Sequence, residues 1–113
     1  MAHPTLNQDI RNCIQECEGC HGICLETSVH CLTEGGIHTA ADHVQTLLDC
    51  AEFCQSAANA MLRHSPLHGR SCELCAEACA ACAEECGRHS MDHCRECAAI
   101  CKRCAEACGE IAG

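Results

Sequence analysis

The residues of this chain that can do chemistry are its cysteines, and their spacing is regular. Cys72, Cys75, Cys79, Cys82 and Cys86 step by three and four, and so do Cys94, Cys97, Cys101, Cys104 and Cys108. An earlier run, Cys13, Cys17, Cys20, Cys24 and Cys31, shares a seam with Leu6, Ile10 and Thr27, and Cys50 and Cys54 make a sparser one with His43, Leu47, Ala57 and Met61. That step keeps every thiol on one face of a helix. Thiols four residues apart have Cβ atoms about 5–6 Å apart. Small rotamer changes bring their sulfurs to the roughly 4.5 Å spanned by two metal–sulfur bonds of about 2.3 Å. A two-coordinate soft ion can therefore sit on one helix, at Cys13–Cys17, Cys20–Cys24, Cys50–Cys54, Cys75–Cys79, Cys82–Cys86, Cys97–Cys101 or Cys104–Cys108, while a facing helix supplies third ligands.

Soft thiolates select Cu(I), which a reducing compartment also maintains. Charge balance points the same way. Ionising many thiols in a narrow apolar interior is prohibitive unless cations arrive with them, and one Cu(I) per thiolate gives a neutral filling. The reading is intracellular storage or sequestration of many Cu(I) ions per chain. A zinc or general thiol-rich metal buffer is the alternative, although zinc wants about four ligands each and usually takes them from loops. An iron–sulfur electron-transfer protein is a weaker one: the ferredoxin run wraps a cluster from a loop and ends in proline, whereas no proline follows these cysteines. No cysteine is set apart as a nucleophile with an orienting partner, so catalysis is not expected.

Histidine and methionine extend the candidate ligand set. His43 and Met61 bracket the thiols of the sparse seam, while His89, Met91 and His93 lie between the last two cysteine runs. Imidazole and thioether hold Cu(I) but release it more readily than paired thiolates.

The elements that must position these groups are helices. Ala, Glu, Lys and Arg, all strong helix formers, fill the positions between cysteines. A first helix is expected from Pro4, as a first-turn residue, to about Thr33, with Gly19 and Gly22 tolerated if neighbours pack closely there. Glu34-Gly35-Gly36 stops it, and Thr39 with Asp42 suggests a capped start for a second helix ending before Pro66. A third covers roughly 67–88 and a fourth roughly 91–112, separated by a Gly87 stop and a Ser90 N-cap. Short connections favour an all-α, antiparallel up-down-up-down four-helix bundle with a cysteine-lined core. That order gathers His30, His38, His43, His89, Met91 and His93 at one end, the expected mouth for copper. Leu6, Ile10, Leu67 and Ile111 would plug the other, where Met61, His64 and His68 also fall.

Composition bounds the rest. Residues 1–113 read as a single domain in which 17 residues are cysteine, with one Phe and no Tyr or Trp, far above the roughly 8–10 % cysteine that flags a disulfide or metal scaffold. Disulfides fit poorly: the count is odd, the N-terminal stretch shows no secretory signal pattern, and thiols along one helix cannot bridge one another well. A cytoplasmic, reducing setting is expected. A net charge of −9 removes the electrostatic basis for nucleic-acid or anionic-membrane binding. Glu73, Glu77, Glu84, Glu85, Glu96 and Glu106 are expected on a solvated outer face.

The strings CIQECEGCHGIC, LLDCAEFC, SPLHGRSCELCAEACAACAEECGRH and DHCRECAAICKRCAEAC resemble those of the cytosolic copper storage proteins, a family of cysteine-lined four-helix bundles. The resemblance covers nearly the whole chain and includes the order of thiol-rich and thiol-poor helices. It implies that the thiols from Cys13 through Cys108 hold Cu(I), that protomers assemble as homotetramers, and that the protein works in the cytosol. A copper donor or acceptor protein is a further expected partner, apart from the resemblance.

Overall fold

In the computed structural model, residues 6–112 are described, and they form helices α1 (Gln8–Glu34), α2 (Ala41–Leu62), α3 (His68–Gly87) and α4 (Asp92–Ala112), with a short 3-10 turn, Gly36–Thr39, after α1. No strand occurs among the described residues. Each helix packs on its sequence neighbours, and α4 closes the ring against α1. The result is an antiparallel bundle 56 Å long and 19 × 18 Å across.

The expected boundaries fall within a few residues of those observed, but several stop and start signals differ. α1 begins later than expected, and Pro4 lies outside the described residues. Its N-cap is Asn7, whose side-chain oxygen accepts a hydrogen bond from the Ile10 N–H at 2.8 Å, satisfying one of the first-turn donors that a helix leaves unpaired. The end of α1 is as expected. Gly35 has φ 80° and Gly36 φ 60°, a left-handed pair that only glycine adopts without strain, and the Gly35 N–H bonds the Cys31 carbonyl at 3.1 Å.

Thr39 does not cap α2. It belongs to the 3-10 turn and donates to the Gly36 carbonyl, leaving Ala40 at the N-cap with no side-chain bond. Asp42 accepts instead from the His43 N–H, at 3.1 Å. Gly87 ends α3 without a left-handed turn, and the Arg88 that follows stays near helical geometry. In place of a Ser90 cap, the Arg95 N–H bonds the Met91 carbonyl at the start of α4. Gly19 and Gly22 have nothing within 4 Å of where a Cβ would stand, so close packing inside the chain is not their reason for being there.

The core is made almost entirely of sulfur. In α3 and α4 the buried side chains are the cysteines alone, whereas α2 adds Leu47, Met61, His43 and four alanines. Free thiols behave as small hydrophobes, so the same groups that could bind metal also drive helix association. His21 ties α1 to α2, its Nδ1–H donating to the Ala51 carbonyl at 2.7 Å.

Candidate metal centre

All 17 cysteines are free and buried. The heptad-like step aims them at the bundle axis, where sulfurs of neighbouring helices meet and some reach across the diagonals. Near the apolar end Cys17 lies 3.3 Å from Cys108 and 4.0 Å from Cys75, and Cys13 lies 3.5 Å from Cys108. At mid-length Cys20 is 3.5 Å from Cys101 and 3.7 Å from Cys50, and Cys79 is 3.5 Å from Cys54 and 3.6 Å from Cys50. Further along, Cys24 reaches Cys101 at 3.7 Å, Cys97 at 3.9 Å and Cys82 at 4.0 Å. Same-helix pairs expected from the spacing are also present, with Cys75–Cys79 and Cys97–Cys101 at 3.8 Å and Cys82–Cys86 at 4.0 Å. The shortest approaches nevertheless run between helices.

Donor atoms of four residues lie within 4.8 Å of one another in several overlapping groups. Cys17, Cys75, Cys104 and Cys108 form one; Cys20, Cys24, Cys50 and Cys101 another; Cys20, Cys50, Cys54 and Cys79 a third; and Cys24, Cys82, Cys97 and Cys101 a fourth. Cys20, Cys24, Cys50 and Cys101 each serve in two groups. A sulfur that belongs to two groups can bridge two ions, as clustered Cu(I) requires. Separate four-coordinate zinc sites could not all be filled at once.

At the histidine end Cys31 stands 3.2 Å from His43 Nε2, 3.8 Å from His93 Nε2 and 3.8 Å from Cys94. His38 joins Cys31, His43 and Cys94 in a further group of donors within 4.8 Å. His89 packs tilted against His43 and His38, and His30 stacks on His93. The structure thus brings together His43, His89 and His93 of the expected set. Met91, half-buried, packs beside the core without a sulfur contact of its own.

Met61 is buried at the opposite end, where it lines a groove with Leu6, Ile10, His64, Pro66 and His68. There His68 braces the turn, its Nδ1–H donating to the Ser65 carbonyl at 2.9 Å. Leu67, expected in the apolar plug, is exposed, because the helix that it precedes starts one residue later and turns it outward. Glu85 is the other correction. It leaves the solvated face and sits 17 % exposed beside His43, with Oε1 3.3 Å from Nδ1, while Glu73, Glu77, Glu84, Glu96 and Glu106 stay exposed. His38 was placed at this end by topology but not among the ligand candidates. Its seam signal was hidden because it lies in a 3-10 turn rather than on a helix.

Proton affinity follows burial and crowding. Burial, with the nearby Cys94 sulfur adding to it, pushes the Cys31 thiol up to about 12, and burial likewise raises Cys94. Deeper in, protons are shared: Cys24 is raised well above the thiol range, first by Cys101, whereas Cys50 is lowered, again first by Cys101. Burial lowers His89, assisted by His43 and His38, and lowers His93, assisted by His30.

The family model of the copper storage proteins matches residues 6–113. The chain belongs to the copper storage protein family. Among solved structures it is similar to the Cu(I)-bound copper storage protein 3 of Bacillus subtilis, with 38% identity, a TM-score of 0.89, and coverage of 94% of this chain and 100% of that one. It is similar to the Nmul_A1745 protein of Nitrosospira multiformis, with 40% identity, a TM-score of 0.88, and coverage of 93% and 95%. A cytosolic copper storage protein of Streptomyces lividans, seen during loading with five coppers, is 33% identical with a TM-score of 0.87, covering 93% of this chain and 92% of that one. The Streptomyces protein has also been seen loaded with 10 copper equivalents.

Proposed function

We propose that this member of the copper storage protein family holds many Cu(I) ions as thiolate clusters along the inside of its bundle. The observation that carries the reading is the extended network of free, buried sulfurs in which individual thiols belong to more than one donor group. The ligands are the thiols from Cys13 through Cys108, with His43, His89, His93 and Met91 serving the histidine end and Met61 the other. The whole chain acts as one storage domain rather than as an enzyme, since every thiol is embedded among others and none faces an open cleft as an isolated nucleophile. Its setting is the cytosol, like that of the cytosolic copper storage protein of Streptomyces lividans. By the family resemblance it assembles as a homotetramer, and copper held in exchangeable form calls for a donor or acceptor protein. No helix among the described residues is long and apolar enough to cross a membrane.

The copper and zinc readings part in a competition. Reduced protein is first loaded with Zn(II) under anaerobic conditions and then titrated with Cu(I). Copper storage predicts stoichiometric release of zinc and copper–sulfur scattering in X-ray absorption. Retention of zinc against Cu(I), in a four-coordinate shell, would establish the thiol-rich zinc buffer instead.

A further inference from the structure

The outer side of His43 offers chemistry that the thiol interior does not. Its Nε2 faces Cys31 at 3.2 Å. Its Nδ1 faces away, 3.3 Å from Glu85 Oε1 but not aligned to bond it. His89 lies beside it with ring centroids 4.2 Å apart, His38 lies 4.6 Å from His89, and His38 and His43 are 6.2 Å apart. His43 is 1% exposed and His89 9%. The Nδ1 atoms of His38, His43 and His89 are all buried and lack a hydrogen-bond partner among the described residues. One such orphan is destabilising and uncommon, and three in rings packed beside one another, one of them next to a carboxylate, call for a ligand.

Three imidazoles on a tetrahedral zinc ion, bound at about 2.0–2.1 Å, hold their ring centroids about 5 Å apart, a value that the three observed separations straddle. The geometry points to a binding site for one borderline divalent cation, of the Zn(II) class, on the Nδ1 atoms of His38, His43 and His89 with Glu85 as the fourth ligand. Arg88 already holds Glu85 Oε2, which leaves Oε1 as the free donor. Three nitrogens and a carboxylate oxygen suit a dication better than Cu(I), for which thiolates wait a few ångströms away. With a dication on Nδ1, the remaining proton of His43 resides on Nε2 and is donated to the Cys31 sulfur, so in that state His43 serves Cys31 as a hydrogen-bond donor and not as a copper ligand. The His30–His93 pair makes no such site. Its rings stack nearly parallel, 24° apart, and aim no nitrogens at a common point.

The site draws on His43 and His89, two of the proposed copper ligands, and the test keeps the two readings distinct. Copper-loaded protein, its copper content measured first, is titrated anaerobically with Co(II) as a probe. The expected result is one Co(II) per chain with tetrahedral d–d absorption, no sulfur-to-cobalt charge-transfer band, and displacement by Zn(II). Glu85→Gln, isosteric and on the outer side of α3, and His38→Ala should each weaken Co(II) binding at least tenfold while circular dichroism shows an intact bundle. Should the chain hold no copper, the same titration of reduced, copper-free protein reads the site, because thiolate ligation carries the charge-transfer band and nitrogen–oxygen ligation does not. Absence of Co(II) uptake, uptake with sulfur bands only, or unchanged affinity in both variants would overturn the proposal.

Discussion

At the scale of single residues, burial decides how each thiol behaves before any metal arrives. Cys31 is raised from an ordinary 9.0 to about 12 because its buried site disfavours the thiolate. A raised pKa means that the folded chain keeps its proton where the unfolded chain loses it. The associated stability is therefore complete below pH 9 and is lost as pH rises from 9 through 12. Metal-free, reduced protein should melt at progressively lower temperature across that window, and Cys94, raised in the same direction, adds to the slope. A melting temperature flat across the window would show that these thiols are not held protonated. Substitution tests the sharing of sulfur: Cys104→Ser should lower copper capacity by about one ion or less and leave the helical circular dichroism intact, because Cys17, Cys75 and Cys108 remain around the gap. Loss of all metal from that single change would reveal one discrete cluster instead of a continuous rail.

At the scale of the element, the cysteine spacing carried the most information. A three-and-four step both defines a helix face and fills it with ligands, so helix existence, the direction of every thiol and the chemistry were legible together. The ends were less so. Thr39 and Asp42 matched a capping pattern, yet the tight turn opened by Gly35 and Gly36 spends Thr39 on the Gly36 carbonyl, and sequence spacing does not register that competition. Glu85 shows the same limit. Its position looked like any other exposed glutamate, and only the crossing of α2 over the end of α3 brings His43 to it. The turn after α1 is the element most sensitive to mutation. Gly35→Ala forces a Cβ into a backbone region, φ 80° and ψ −165°, that essentially only glycine occupies, which costs about 1–3 kcal/mol, and chemical denaturation should show a loss of that size. An unchanged midpoint would mean that the turn relaxes freely and does not set the α1–α2 connection.

At the scale of the molecule, the bundle is a narrow tube whose two ends differ. One end gathers His30, His38, His43, His89 and His93 around Cys31 and Cys94. The other packs Leu6, Ile10 and Met61, and its His68 is already engaged by Ser65. The proposed entry of copper through weaker nitrogen ligands, and its onward movement to paired thiolates, rests on that asymmetry. Replacing His43, His89 and His93 together by Ala should slow Cu(I) loading in stopped-flow measurements while the deep thiols still set the final capacity; slowing only when Met61 and His68 are changed would put the mouth at the other end. Topology made the gathering of histidines readable from the order of helices, whereas their mutual stacking and orphaned nitrogens required coordinates.

The central claim is that the sulfur network fills with Cu(I) until charge is balanced, since thiolates in this apolar interior need nearly equal numbers of cations. Anaerobic titration of fully reduced protein with Cu(I) in the presence of a chromophoric Cu(I) competitor measures this directly. The account predicts tight uptake that continues to a number of ions approaching the 17 cysteines. Saturation at about four ions, the number that separate four-coordinate sites would permit, would contradict it.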